Sequence, residues 1–181
     1  MRKLVESTFV TLDGVISAPE TWTRPYWDDE HADYAKKLLF GADALLLGRM
    51  TYEAFTQAWP ERVGGYADRI NKLPKYVVST TRREGTWNAT FLRGDVAAEV
   101  ERLKQQPGQA ILKFGTGELD RLLLKHGLVD EYHLWVFPVV SGGGLRLFDG
   151  VGTTHLNLVD STRFASGVTV LTLTPRRADV S

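Results

Sequence analysis

An α/β fold, with a mixed and mainly parallel sheet flanked by helices and a C-terminal antiparallel hairpin, is predicted by three observations. Strand-like and helix-like segments alternate along most of the 181 residues, the pattern of strand–helix–strand units. Short apolar runs such as ALLL and AILKF lack polar alternation, as strands buried on both faces do. Near the end the pattern changes: HLNLVDSTRF and VTVLTLT alternate around Ala-Ser-Gly, which signals a hairpin.

Each element has its own local reason. Lys3 to Leu12 is rich in Val, Thr and Phe and stops at the turn pair Asp13-Gly14, so it reads as the first strand. Residues 14 to 28 carry two prolines and three aromatics without a period and read as a loop; aromatic loops of this length often serve function. A helix is expected over Asp29 to Phe40, with Ala32, Ala35, Leu38 and Leu39 on its apolar face and Gly41 as its stop. Ala44 to Leu47 is a buried strand that gives way after Gly48 to a helix in GRMTYEAF. Residues 66 to 72 suit a short helix and Lys75 to Thr80 a strand. Asp95 caps a helix with Val96, Val100 and Leu103 on one face, ended by Pro107-Gly108. Ala110 to Phe114 is a buried strand, Glu118 to His126 a helix stopped by Gly127, and Glu131 to Phe137 a strand before the SGGG loop. The even composition predicts one domain over 1–175, with 176–181 as a polar tail.

Composition narrows the function classes. Lys+Arg and Asp+Glu are both 22, so no net charge draws the chain to nucleic acid or to an anionic membrane. With no cysteine, thiolate nucleophiles, disulfides and Cys-ligated zinc are excluded. Glu6 and Ser7 break the apolar N-terminal run, and no window approaches a membrane span. A cytoplasmic protein is the expectation. No histidine and acid pair has metal-ligand spacing, so no metal is expected.

Two strand-to-helix turns suit anions, because helix N-termini present free N–H groups at the carboxyl ends of strands. In Gly48-Arg49-Met50-Thr51, the glycine permits close approach, the guanidinium can grip a phosphate, and Thr51 either caps the helix or donates to the ligand. A plain helix start with a solvated Arg accounts for the same residues. Phe114-Gly115-Thr116-Gly117-Glu118-Leu119 resembles a shortened pyrophosphate cradle, although a tight connection also explains it. Ser79-Thr80-Thr81-Arg82-Arg83 places hydroxyls beside two Arg after a strand, where either a phosphate or a solvated basic turn fits.

The joint order of FVTLDGVIS, ADALLLGRMTYEAF, KYVVSTT, ILKFGTGELDRLLL, LVDEYHLWVFPVVSGGGLRLF and the hairpin resembles the dihydrofolate reductase fold. It is more similar to the reductase domain of bacterial bifunctional riboflavin-biosynthesis proteins, from about Lys3 to Thr174. The resemblance implies an NADPH-dependent reductase, with Gly48, Arg49, Met50 and Thr51 at the cofactor phosphates and Ser79, Thr80 and Thr81 near the adenosine and its 2′-phosphate. It further implies Phe114 to Leu119 around the pyrophosphate, and Ile16 and Ser17 beside the nicotinamide. Arg49 and Arg82 are superfluous for NAD but useful for an extra phosphate, which favours NADP. The resemblance also implies a homodimer, to which the apolar edge around Tyr132, Trp135 and the last strands is suited.

The substrate side is less legible. Reductases of this resemblance use a carboxylate from the first helix, yet the loop before that helix differs in length here. Asp29 and Asp33 share a face by spacing and His31 lies near, but solvated first-turn acids serve the helix dipole equally well. Ser7 and Phe9 share one face of the first strand and Glu6 takes the other. Asp13 either orients its turn or meets substrate. Trp22, Tyr26 and Trp27 are candidates for a pocket wall or for loop anchors. Gly142 and Gly143 lie near substrate by the resemblance, or form a flexible turn. His133 reads as a satisfied strand histidine. The expected activity is hydride transfer to a small pterin- or pyrimidinone-like heterocycle or a conjugated compound; the alternative is a non-catalytic protein that retains the nucleotide pocket.

Overall fold

A computed structural model describes residues 1–115 and 117–176 of the chain. Its centre is an eight-stranded sheet ordered β4-β3-β2-β5-β1-β6-β8-β7. In chain order the elements are β1 (Leu4–Thr11), α1 (Asp29–Phe40), β2 (Ala42–Gly48), α2 (Arg49–Ala58), α3 (Gly65–Lys72), β3 (Lys75–Val78), β4 (Ala89–Leu92), α4 (Val96–Gln105), β5 (Ala110–Phe114), α5 (Glu118–Lys125), β6 (Glu131–Phe137), β7 (Leu156–Arg163) and β8 (Thr169–Pro175). The pairings among β1 to β6 are all parallel, whereas β8 joins β6, and β7 joins β8, antiparallel. The mixed sheet with a closing hairpin is the architecture the sequence predicts.

Alternation along β2 explains the layers. Ala44 and Leu46 pack with Val100 and Leu103 of α4 and Leu123 of α5, while Leu45 and Leu47 pack with Leu39 of α1, Tyr52 of α2 and Ile70 of α3. Helices therefore cover both faces, as a parallel sheet requires. Asp95 caps α4 by accepting from the Ala97 and Ala98 N–H groups, and Gly41 ends α1. β2 is longer than the apolar run alone suggests, and β3 stops at Val78, so Ser79 and Thr80 stand beyond the strand.

The apolar face of α1 needs one correction. Ala32 is exposed and His31 is fully buried. Asp28 caps the helix through the His31 N–H and also bonds the His31 Nδ1 at 2.8 Å. The ring then packs among Trp27, Trp135, Phe137 and Phe164. The same aromatic cluster closes the end of the sheet near β6 and β8. Tyr132 and Trp135, expected to offer apolar edge, are also internal; the exposed apolar surface on the edge lies on β7, at Leu158 and Val159. No helix among the described residues is long and apolar enough to cross a membrane.

Candidate active site

The strand registers line up one rim of the sheet. Leu92 pairs with Val78, Val78 with Gly48, Leu47 with Phe114, and Phe114 with Ser7. β5 ends at that level while β1 continues to Thr11, so Ser7, Thr8 and Phe9 stand above the end of their neighbour. They form one wall of a cavity of about 370 Å³. Ile16, Pro19 and Glu20 come from the loop after β1, Met50, Thr51, Ala54 and Phe55 from α2, and Phe114 and Gly115 from the end of β5. Further along the rim, a second cavity of about 420 Å³ is lined by Val78, Ser79, Thr80, Arg82, Arg83, Leu92, Arg93, Gly94 and Val96.

The rim thus gathers many of the expected residues: Ser7, Phe9, Ile16, Met50, Thr51, Phe114 and Gly115 in one cavity, Ser79, Thr80 and Arg82 in the other. Between them β2 runs directly into α2. Gly48 is the N-cap of α2 and no side chain caps the turn, so N–H groups at the helix start remain for a ligand. A Cβ on Gly48 would meet open space; the glycine is not demanded by packing. Arg49 is held by Glu53 at 3.0 Å across one helical turn. Gly115 has φ +76°, and a Cβ there would run into the Thr51 hydroxyl, so β5 and α2 meet at a point only glycine fits. Thr116 lies outside the described residues; Gly117 and Glu118 are exposed at the start of α5, and Leu119 packs against the core.

Under this join lies an ionic cluster that the sequence reading did not single out. Glu6 and Lys113 are register partners and both are buried, at 0% and 1% side-chain exposure. The Lys113 ammonium bonds the Gly115 carbonyl at 2.5 Å and the Asp120 carboxylate, with Glu6 at 3.8 Å. Asp120 in turn accepts from the Gly117 N–H. Burial pushes the Glu6 carboxyl well above the ordinary carboxylate range, against the pull of Lys113. Its Oε1 accepts from the Thr8 hydroxyl, and its Oε2, which faces the Lys113 ammonium, has no hydrogen-bond partner among the described residues. A charge of each sign at neighbouring apolar positions, in LVESTFV and AILKF, is the signal that marks this pair.

Other expected residues lie elsewhere. Asp29 and Asp33 are solvent-exposed and His31 is sealed in the aromatic cluster; none of the three lines the cavity. The Asp13 carboxylate is occupied as a turn clamp: it accepts from Thr11 Oγ1 and from the Ser141 and Gly142 N–H groups, bonds that hold it far below the usual range. Ser17 Oγ accepts from the Leu145 N–H, fixing the other side of the glycine-rich loop, in which Gly142 and Gly143 are exposed. Thr81 is exposed, and its N–H and that of Arg82 donate to Ser79 Oγ. Trp22 anchors the loop, being buried with its Nε1 on the Ser17 carbonyl, and Trp27 is half-exposed beside Phe9. The wall instead comes from Pro19 and Glu20, which the aromatic pattern did not single out. Arg93, at the end of β4, completes the second cavity. His133 bonds Tyr34 and Glu131, and burial lowers its pKa below the ordinary imidazole range against the pull of Glu131. Among the described residues, no three His, Cys, Asp or Glu side chains are placed to hold a metal.

A parallel sheet closed by an antiparallel hairpin, with a ligand-sized rim running past a glycine cradle, defines a dihydrofolate-reductase-like reductase domain. The comparisons make the class particular: residues 2–170 match the RibD C-terminal domain, and the chain belongs to that family. It is 30% identical over 176 residues to YyaP of Bacillus subtilis (strain 168), covering 92% of each chain. It is 29% identical over 174 residues to YwjB of the same organism, covering 92% of this chain and 95% of that one. The fold is shared with a Shewanella sp. PV-4 protein ascribed to riboflavin biosynthesis, at TM-score 0.77, 21% identity and coverage of 97% and 99%. It is also shared with a diaminohydroxyphosphoribosylaminopyrimidine deaminase/5-amino-6-(5-phosphoribosylamino)uracil reductase of Thermotoga maritima, at TM-score 0.65 and 16% identity. That match covers 97% of this chain and 57% of the Thermotoga protein.

Proposed function

We propose that the chain is an NADPH-dependent reductase of a small flat heterocycle or conjugated C=N or C=O compound, working in the cytoplasm as a homodimer. The observation that carries this reading is the sequence of environments along one rim: a three-arginine cavity, a helix start with a glycine cradle, then an apolar cavity. Three strand spacings separate β3 from β1, about 14 Å, a span suited to a dinucleotide. The residues present fit the cofactor. Arg82, Arg83 and Arg93 would hold the 2′-phosphate by charge-assisted bonds. Arg49, Thr51, Gly115 and the N–H groups at the start of α5 would hold the pyrophosphate. Phe9, Ile16, Phe55 and Phe114 would enclose the nicotinamide and exclude water.

NADPH, when bound, supplies the hydride; the chain supplies position and a dry surface. The Ser7 hydroxyl, which accepts from Trp135 Nε1 at 3.0 Å, stays fixed on the cavity wall and is available to orient a polar atom of the substrate. Lys113 and Asp120 hold the cradle from beneath. A second reading, nucleotide binding without turnover, is supported by the exposed position of Asp29 and Asp33, which leaves the first helix without a carboxylate in the cavity. The exposed Leu158 and Val159 on the edge strand β7 support pairing with a second copy.

Titration with NADPH, read by the five tryptophans, tests the cofactor: saturation below ~100 μM is expected for a working reductase, and no binding at that level overturns it. NADPH oxidation across a panel of pterins, pyrimidinones and flavins separates the two readings. Light scattering of the intact chain reads the dimer.

A further inference from the structure

The cavity at β1 is mostly apolar, and one of its few polar side chains has a bond left to make. Of these side chains, Thr8 donates to the buried Glu6 carboxyl, Thr51 abuts Gly115 at the cradle, and Glu20 is exposed. Ser7 differs. It lines the cavity, is 7% exposed, and accepts one hydrogen bond, from Trp135 Nε1 at 3.0 Å. An indole nitrogen only donates, so the sense of that bond is fixed. The Ser7 hydroxyl proton has no acceptor among the described residues.

Trp135 is locked in the orientation that makes this bond. Register sets Ser7 beside His133 and Phe9 beside Trp135, so Ser7 and Trp135 are diagonal neighbours on one face of the β1–β6 pair. The indole is 1% exposed. Phe9, Tyr34 and Phe164 meet it edge-on with ring centres at 5.3, 5.1 and 5.7 Å, and the His31 imidazole stacks on it at 5.6 Å. Asp28 in turn holds that imidazole. His31, sealed off from the cavity, therefore backs the ring that sets Ser7. A buried hydroxyl proton without an acceptor is costly. A ligand atom carrying a lone pair relieves that cost, whereas an N–H at the same point leaves it in place.

We propose that Ser7 is a specificity-determining residue of this cavity, that Trp135 is its positioning residue, and that the substrate presents an acceptor heteroatom to the Ser7 hydroxyl. This rests on the reductase reading above. A carbonyl oxygen and an unprotonated imine or ring nitrogen meet the requirement; an N–H or an amino group does not. Specificity here comes from the group left unpaired by the wrong ligand, not from charge.

The test is titration of the isotope-labelled full chain, without cofactor, with two flat bicyclic probes followed by NMR. Quinoline has an acceptor and no donor; indole has a donor and no acceptor. Ser7→Ala should lower the ratio of quinoline to indole affinity about tenfold, the scale of one buried hydrogen bond. Trp135→Phe, which frees the hydroxyl to turn, should lower the same ratio with Ser7 intact. If that variant does not fold, the wild-type chain answers instead. Quinoline should move the Trp135 indole N–H proton downfield, because a hydrogen-bond chain extended to the ligand polarises it, and indole should not. An unchanged ratio in Ser7→Ala, an unmoved Trp135 signal, or no quinoline binding at ~10 mM, a generous limit for a ligand of this size, overturns the proposal. Adding NADPH to saturation should leave quinoline bound; displacement would give Ser7 to the cofactor and overturn the assignment to substrate. If NADPH does not bind while the Ser7-dependent ratio persists, the reductase reading falls and the acceptor-selective site stands.

Discussion

The two cavities on the rim are of similar size, about 370 and 420 Å³, yet they are built on opposite plans. The one at β3 and β4 is a charge trap: three arginines on exposed loop ends with no acid in the lining. The one at β1 and β5 is a shape: aromatic and aliphatic walls on the upper ends of strands, with one carboxylate. Arginines at loop ends keep their hydration and reach a ligand by Coulomb attraction, which is long-ranged but screened. An apolar wall acts only on contact, and so needs the rigid backing of the sheet. On the function proposed above, the difference divides labour between the two halves of the cofactor site, the anionic half recognised by charge and the reactive half by fit.

The sharpest way to break that contrast is at the join. Lys113→Met leaves Asp120 buried without its partner and removes the donor beneath Gly115. The expected loss is about 3–5 kcal/mol of unfolding free energy, read by urea denaturation, with weaker NADPH binding in what remains folded. A small loss would mean that the two cavities do not share this support.

The next effect separates the cavities. R82A/R93A should weaken NADPH about 100-fold, the scale of two charge-assisted contacts, and leave NADH nearly unchanged. Comparable losses for NADPH and NADH would remove the assignment of the basic cavity to the 2′-phosphate. Gly115→Ala combines a left-handed backbone with contact on Thr51, so a stability cost of about 1–3 kcal/mol is expected. Restoration by a Thr51→Ala partner change should be only partial, because the backbone strain stays; differential scanning calorimetry reads both.

A pH-dependent effect concerns Glu6. Its folded-state pKa is raised from 4.5 to about 8, so the folded chain holds a proton that the unfolded chain releases. The sign follows: this contribution is fully present below pH 4.5 and is lost as pH rises to about 8. Glu6→Gln should flatten that slope, its melting temperature gaining on the wild type across the window. Parallel melting curves at all pH values would show that Glu6 is ionised in the fold.

The sequence carried the architecture because its signals are local. Buried strands such as ALLL, the Asp95 cap, the Gly41 stop and the hairpin each declare themselves within a few residues. The glycine turns and the arginine turn were legible for the same reason. The features that escaped depend on distant partners. Asp13 read as a turn residue or a substrate contact, and only the Ser141 and Gly142 N–H groups arriving from another loop fix it as a clamp. His31 took the place expected of Ala32 because Trp135, Phe137 and Phe164 surround it. Glu20 and Arg93 gained meaning only when registers set their ends on one rim.

The pairing of β1 has a consequence for how the chain is made. Its neighbours, β5 and β6, begin at Ala110 and Glu131, so the first strand synthesised waits for partners from the second half of the chain. At ~5–20 residues per second, the strand stays open for roughly 6–24 s. A run reading LVESTFVT would invite aggregation over such an interval, were it not interrupted by a charge. Glu6 is solvated while the nascent chain waits and is withdrawn from water when Lys113 arrives beside it. The residue that is awkward to bury in the finished sheet is thus a gatekeeper during its assembly.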